Sequence, residues 1–497
     1  MSTTSSPAVS PTGRPPAAAQ ERPAGRLPLA ALTALAIGSM VGAGIFGLPA
    51  NMAAVASPGA LLIGWAITGV GMLMLAFTFQ TLATARPEVD GGVYGYARAG
   101  FGDFIGFTAA WGYWVSAWVG NVAFFVIVFS TLGQFIPAFE GGTTPAAIAG
   151  ASVLLWCYHA LILRGVREAA VLNTFVTIAK IVPIVLFVVI AGLAFDMGVF
   201  TADFWGRATV IDGAPLGTTM EQVVGMMLVT VWVFIGIEGA SIFSARAEKK
   251  SDVGRATVVA FVAVLALLVL VNLVSYGIMA QAEIAGLTGL SMAQVLAEVT
   301  GPWGGVLISA GLLVSVLGAL LSWTLLCAEI LLTPARQGVL PRWTARENRR
   351  GAPVNALWMT NLCIQAMLLW TLVNAGTYDD LIYLASALIL LPYLWSALYQ
   401  VVTALRDRGE GERRIGPGRQ IVGALACVYA LWLLYAAGPE YLLLACIFYV
   451  LGAGFYLWAR REAGLRLFSP VEWGIAALIA VGALAGLSGL LTGAITL

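Results

Sequence analysis

Two stretches decide the fold: Gly38-Ser39-Met40-Val41-Gly42-Ala43-Gly44-Ile45-Phe46, and Trp232-Val233-Phe234-Ile235-Gly236-Ile237-Glu238-Gly239-Ala240. Each lies inside an apolar run long enough to cross a bilayer, and each carries glycines in mid-run. Glycine lowers helix propensity and frees the backbone, so a helix interrupted this way tends to break. The second stretch also sets a carboxylate, Glu238, among its glycines. Close helix packing is the competing reading of such small residues. Occurrence of the same interruption in two spans favours broken helices, because inverted repeats produce them in corresponding positions and bind substrate between them at the bilayer midplane.

Working outward, apolar stretches of spanning length fall near 28–52, 60–84, 104–132, 146–163, 170–194, 220–244, 255–279, 303–332, 354–374, 379–404, 419–437, 441–459 and 471–495. The interrupted ones are the first and sixth, which fits two five-helix repeats, 28–194 and 220–404. These form a transport core over 28–404, followed by accessory C-terminal helices over 419–495. The arm 1–27 is rich in Pro, Ala, Ser and Thr with scattered Arg and reads as disordered and cytoplasmic. A cleaved secretory signal is the alternative, but the apolar run continues to Met52, which suits an uncleaved first span.

Charge supports this division. If the arm is cytoplasmic, all but two of the 26 Lys and Arg fall in the arm or in alternate segments on its side. The exceptions are Arg207 and Lys180, the latter within a span. That distribution obeys the positive-inside rule, and the odd span count puts Leu497 outside. Overall, 60% of residues are hydrophobic and 10% charged, against roughly 25% charged in soluble domains, so lipid is the expected solvent. A net charge of +1 gives no reason to expect a nucleic-acid partner. The five cysteines are scattered singly through apolar sequence, and His159 is the lone histidine. They read as packed core residues, so neither metal nor cofactor is expected. An enzyme would show clustered His, Cys or paired acids, and a channel a repeated filter element; neither pattern is found.

Gly42-Ala43-Gly44-Ile45-Phe46 with Leu48-Pro49-Ala50-Asn51 resembles the first-helix motif of the amino acid–polyamine–organocation superfamily. The stretch Gly91-Gly92-Val93-Tyr94-Gly95-Tyr96 followed by Gly106-Phe107 resembles its second signature. Trp118-Val119-Gly120-Asn121, Phe234-Ile235-Gly236-Ile237-Glu238 and Ser322-Trp323 are similar to the basic amino acid/polyamine antiporter family, in particular bacterial arginine/agmatine and arginine/ornithine antiporters. The resemblance covers spans one to twelve. A thirteenth span departs from the family's usual twelve and points to the arginine/ornithine and lysine exchangers. The implied fold is an all-α polytopic membrane protein with a LeuT-like 5+5 inverted repeat, helices 1 and 6 broken, plus about three C-terminal helices.

The resemblance also implies site residues. Backbone amides at Gly42, Ala43 and Gly44 bind the substrate carboxylate, as the N–H end of a half-helix favours anions. Ala43 replaces a serine found in some relatives, so a hydroxyl contact is lost there. Carbonyls near Phe234 and Ile235 take the ammonium. Trp232 and Trp323 correspond to tryptophans stacked on the substrate side chain, where a cation gains cation–π energy. Without the motif both read as packing. Asn121 corresponds to an asparagine that reaches the distal guanidinium, with a helix–helix hydrogen bond as the alternative.

Three ionisable residues within spans are coupling or gating candidates: Glu238, Lys180 and Glu329. A mid-membrane acid costs roughly 2.5–3.5 kcal/mol on insertion scales, so it marks function by default. Glu238 can attract cationic substrate, carry a proton or tether the broken helices. Lys180 corresponds to a fifth-helix lysine that replaces sodium in some relatives, with snorkelling as the alternative. Glu329 is either a gate residue or the partner of a nearby arginine. The expected function is secondary exchange of arginine for ornithine across the inner membrane by a monomer or homodimer, with membrane lipid and a small-molecule amino-acid substrate as partners. Proton-coupled amino-acid uptake is the alternative.

Overall fold

The computed structural model describes residues 28–164, 169–238, 250–287, 289–349, 351–374, 377–406 and 415–495. The expected arm 1–27 and the second half of the sixth span, from Gly239 to residue 249, lie outside the described residues, as does Leu497.

The chain is a multi-pass helical membrane protein. Among the described residues, ten helices are long and apolar enough to cross a bilayer, and one further pair forms a bent span. The bent pair comes first: α1 (Leu29–Met40) and α2 (Gly44–Ala53) meet at 45°. Then follow α3 (Pro58–Ala85), a short α4 (Gly92–Phe101), α5 (Asp103–Gly133), α6 (Pro145–Leu163) and α7 (Ala169–Leu193). The stretch expected near 220–244 contains a short helix Thr219–Gly225, α8 (Met227–Trp232) and then turns through Glu238. After it come α9 (Lys250–Tyr276), α10 (Pro302–Arg336), α11 (Val354–Asn374), α12 (Tyr378–Arg406), α13 (Pro417–Ala436), α14 (Gly438–Glu462) and α15 (Pro470–Thr492).

Local sequence sets several of these ends. Ser57, Thr144 and Ser469 stand in extended conformation ahead of Pro58, Pro145 and Pro470, each of which takes the first helical turn. Proline suits that position because its missing N–H would have no helical partner there. Thr144 caps the amide of Ala147, and Ser469 with Glu472 closes a capping box. Between α7 and α8 runs a two-stranded hairpin, Val210–Ile211 with Ala214–Pro215. Its turn, Asp212-Gly213, has positive φ at both residues, the geometry that a two-residue hairpin loop favours.

The core is built around α5. Every residue from Phe104 to Phe129 is buried. This helix packs most extensively against α12 and α10, and α1 packs against α9. Helix α15 buries only Ala483 and Gly486, so nearly all its surface is left uncovered by the rest of the chain. The helix pair α14–α15 is pinned to α5 at one end by the ion pair of Arg460 Nη1 and Asp103 Oδ2, 2.7 Å. Higher up, the Trp111 indole N–H donates to the Phe448 carbonyl at 2.9 Å.

Candidate functional site

In the first break, α1 ends at Met40, Val41 turns to an extended conformation, and α2 starts at Gly44. Ending a helix in mid-membrane leaves carbonyls that need donors. Lys180, on α7 and almost wholly buried, supplies them. Its ammonium donates to the carbonyls of Gly38 and Val41, both at 2.6 Å.

The second break follows Trp232. Gly236 has φ +105, a region that L side chains rarely adopt. A Cβ there would also lie 2.7 Å from the carbonyl oxygen of Ser39. Glycine is therefore required twice over, by conformation and by contact. The Ser39 hydroxyl reaches the carbonyls of Ala36 at 2.9 Å and Gly236 at 3.0 Å. The two breaks thus touch each other.

A small cavity lies between them. Gly42, Ala43 and Gly44 form one wall, and Ser116, Ala117, Gly120 and Phe124 on α5 form another. Trp232, Ile235 and Trp323 complete it along with Ser39, Met40 and Val233. Room for the centres of water-sized occupants is about 30 Å³, enough for roughly two waters. The Trp232 indole is wedged in place. A Cβ on Gly44 would come within 2.8 Å of its Nε1, and one on Gly120 within 3.1 Å of its ring. Phe124 meets the indole edge-on at 5.7 Å, and the Trp232 indole N–H donates to the Tyr378 hydroxyl at 3.2 Å.

Glu238 lies off the lining of this cavity. Its Oε1 accepts from the Tyr113 hydroxyl at 2.5 Å and its Oε2 from the Tyr393 hydroxyl at 3.0 Å. The carboxylate is buried and ties the second break to α5 and α12. Tyr113 stands one turn from Ser116 and Ala117, so both lie on the same side of α5. Glu238 and Tyr113 border a second, larger chamber of about 460 Å³. Its walls are the far ends of α3 and α10, the segment from Arg86 to Val93, and the start of α9. Glu329 and Asp90 line this chamber too.

The remaining expected residues sit elsewhere. The Phe234 side chain points away from the cavity, packing on Phe261 at 5.1 Å and Trp65 at 6.3 Å, while its carbonyl accepts from the Ile237 amide at 3.0 Å. Asn121 is fully buried and faces α10, with its amide nitrogen 3.8 Å from the Cys327 sulfur and its Oδ1 without a hydrogen-bond partner among the described residues. Neither residue lines the cavity. Sequence reasoning missed Ser39, Ser116, Ala117 and Phe124 on the wall, and Tyr378 and Tyr393 behind it. The small residues Ser116 and Ala117, three to four positions before Gly120, were a usable signal for α5, whereas nothing near Tyr378 or Tyr393 marked them.

A family model described as amino acid permease matches residues 27–457. The chain is 54% identical to an arginine/ornithine antiporter of Pseudomonas aeruginosa, over 95% of this chain and 98% of that one. It is 44% identical to an L-lysine transport protein of Corynebacterium glutamicum, over 94% and 95% of the two chains. An arginine/agmatine antiporter of Chlamydia caviae is 38% identical over 87% of this chain and 90% of its own. With a matching model over most of its length and relatives this similar end to end, the chain belongs to the amino acid permease family.

Proposed function

We propose that this protein exchanges arginine for ornithine across the cytoplasmic membrane by alternating access. The observation that carries the reading is the cavity itself: the bend between α1 and α2 meets the end of α8 there under two indoles, with no ionisable side chain among the described residues of the wall. Amides at the start of α2, around Gly42, Ala43 and Gly44, suit a carboxylate, since that end of a helix carries partial positive charge. The substrate ammonium faces the second break near Ile235, with Phe234 contributing only main chain. Trp232 and Trp323 offer ring faces to the distal cation. Asn121 takes a supporting place behind Gly120.

The two-repeat reading assigns α1–α7 to one half and α8–α12 to the other, in LeuT-like inverted order, with α13–α15 accessory. Thirteen spans then put the N-terminus in the cytoplasm and the C-terminus outside. In this orientation the large chamber opens to the cytoplasm, and Glu238 with its two tyrosines separates it from the cavity. Glu329 and Asp90 give the chamber negative charge, which draws cations toward the site. Arginine and ornithine each carry one net positive charge, so one-for-one exchange moves no net charge and needs no coupling ion. The Lys180 ammonium occupies the carbonyl pair that a monovalent cation would otherwise take, which supports transport without sodium.

Binding to the purified protein tests the substrate class. Arginine and ornithine should each raise the thermal unfolding midpoint in detergent, while citrulline, which replaces the guanidinium by a neutral urea, should not. Equal stabilisation by citrulline would reject cation recognition.

A further inference from the structure

The first two residues of α12 touch α2 beyond the first break and Trp232 at the second. The Tyr378 hydroxyl accepts from the Trp232 indole N–H at 3.2 Å, and Asp379 Oδ1 accepts from the Asn51 side-chain amide on α2. Asn51 is buried and lies one turn beyond Gly47, where a Cβ would stand 3.1 Å from Asn51 Oδ1 and 3.7 Å from the Tyr378 ring. The backbone amide of Ala50 donates to the Ser291 hydroxyl at 3.1 Å, a third tie on the same end of α2. All of this lies on the side of the cavity opposite the large chamber.

We propose that Tyr378 and Asp379 form a latch that closes the cavity on the face away from the chamber, and that Tyr378 is the positioning residue for the Trp232 indole. The sense of the closure rests on the transport reading above. Adjacent residues on one helical turn move together, so α2 and the Trp232 end of the second break are held or released as a pair. Tyr393, which holds Glu238, stands on the same helix about 22 Å further along at 1.5 Å per residue. One helix thus carries a closure on each side of the cavity. Releasing one while the other holds is the requirement for alternating access, and α12 supplies both contacts.

The test is sided thiol labelling of reconstituted vesicles. A cysteine is introduced by Ala117→Cys on the cavity wall, and labelling by a membrane-impermeant reagent is measured in excess of the parent protein, from each face separately. Tyr378→Phe removes one hydroxyl without changing shape, and Asn51→Ala removes the other arm should the first variant disturb folding. Each should speed labelling from the face opposite the chamber by about three- to tenfold, the scale of one lost hydrogen bond in a two-state balance. Labelling from the chamber face should stay level or slow. Unchanged labelling, or equal acceleration from both faces, would overturn the latch. The assay needs no substrate. Vesicles that label as expected yet exchange no arginine would sustain the latch and reject the substrate, whereas arginine exchange with unaltered labelling would reject the latch alone.

Discussion

The two helix breaks are opposite in chemistry. The first is a run of main-chain carbonyls at the negative end of α1, and a buried ammonium from α7 closes it at 2.6 Å twice over. The second centres on a buried carboxylate, closed by hydroxyls from two different helices at 2.5 and 3.0 Å. Main-chain carbonyls cannot rotate away from Lys180 without unwinding the helix that bears them. Tyr113 and Tyr393 can each leave Glu238 by turning a side chain, and Tyr113 stands with Glu238 at the edge of the large chamber. We read the first break as a socket and the second as a hinge.

The harshest way to break this comparison is Lys180→Met. It leaves two carbonyls without donors in mid-membrane, at about 1–3 kcal/mol each. Exchange should fall more than about tenfold, together with the thermal unfolding midpoint in detergent. A variant with wild-type midpoint and rate would mean that the first break holds itself.

Next in size are the indoles. Trp232→Ala and Trp323→Ala should each weaken arginine binding by about 5–30-fold, the equivalent of roughly 1–2 kcal/mol for a desolvated cation–π contact. Titration calorimetry on each variant measures this, and unchanged affinity in both would return the indoles to packing.

The hinge should respond more mildly. Tyr393→Phe and Glu238→Gln each weaken a hydroxyl–carboxylate contact, so exchange should change by about three- to tenfold while the protein stays folded. Glu238→Gln also removes a negative charge on the route to the chamber, so its KM for arginine should rise and its KM for a neutral amino acid should not. Wild-type rate, KM and pH profile across roughly pH 5 to 8, a range bracketing shifted carboxyl titrations, would leave Glu238 as a tether only. Smallest of all is the effect of sodium: with Lys180 in the socket, replacing external sodium by choline should leave the exchange rate unchanged. A steep sodium dependence would displace Lys180 from that role.

Much of this was legible in the residues. Thirteen apolar runs were expected, and among the described residues ten helices and one bent pair are long and apolar enough to span; the glycines of the first run fall at that bend, because bilayer thickness and helix propensity act locally. Lys180 demanded a partner, though only the fold could say that the partner was the break of another helix. The cavity wall was harder to read. Asn121 was expected at the site, yet α5 is buried all round and shows no amphipathic stripe to tell which face meets the cavity. The face turned out to be 116, 117, 120 and 124. Glu238 was readable as an acid in need of partners, but those partners, Tyr113 and Tyr393, are distant in sequence and ordinary in local pattern.

The central claim, exchange of one cationic amino acid for another, is tested most directly by radiolabelled arginine uptake into proteoliposomes. Vesicles loaded with ornithine should accumulate label rapidly, and empty vesicles should take up almost none, with the same result when choline replaces sodium. Equal uptake into loaded and empty vesicles would contradict obligate exchange and with it this account of the site.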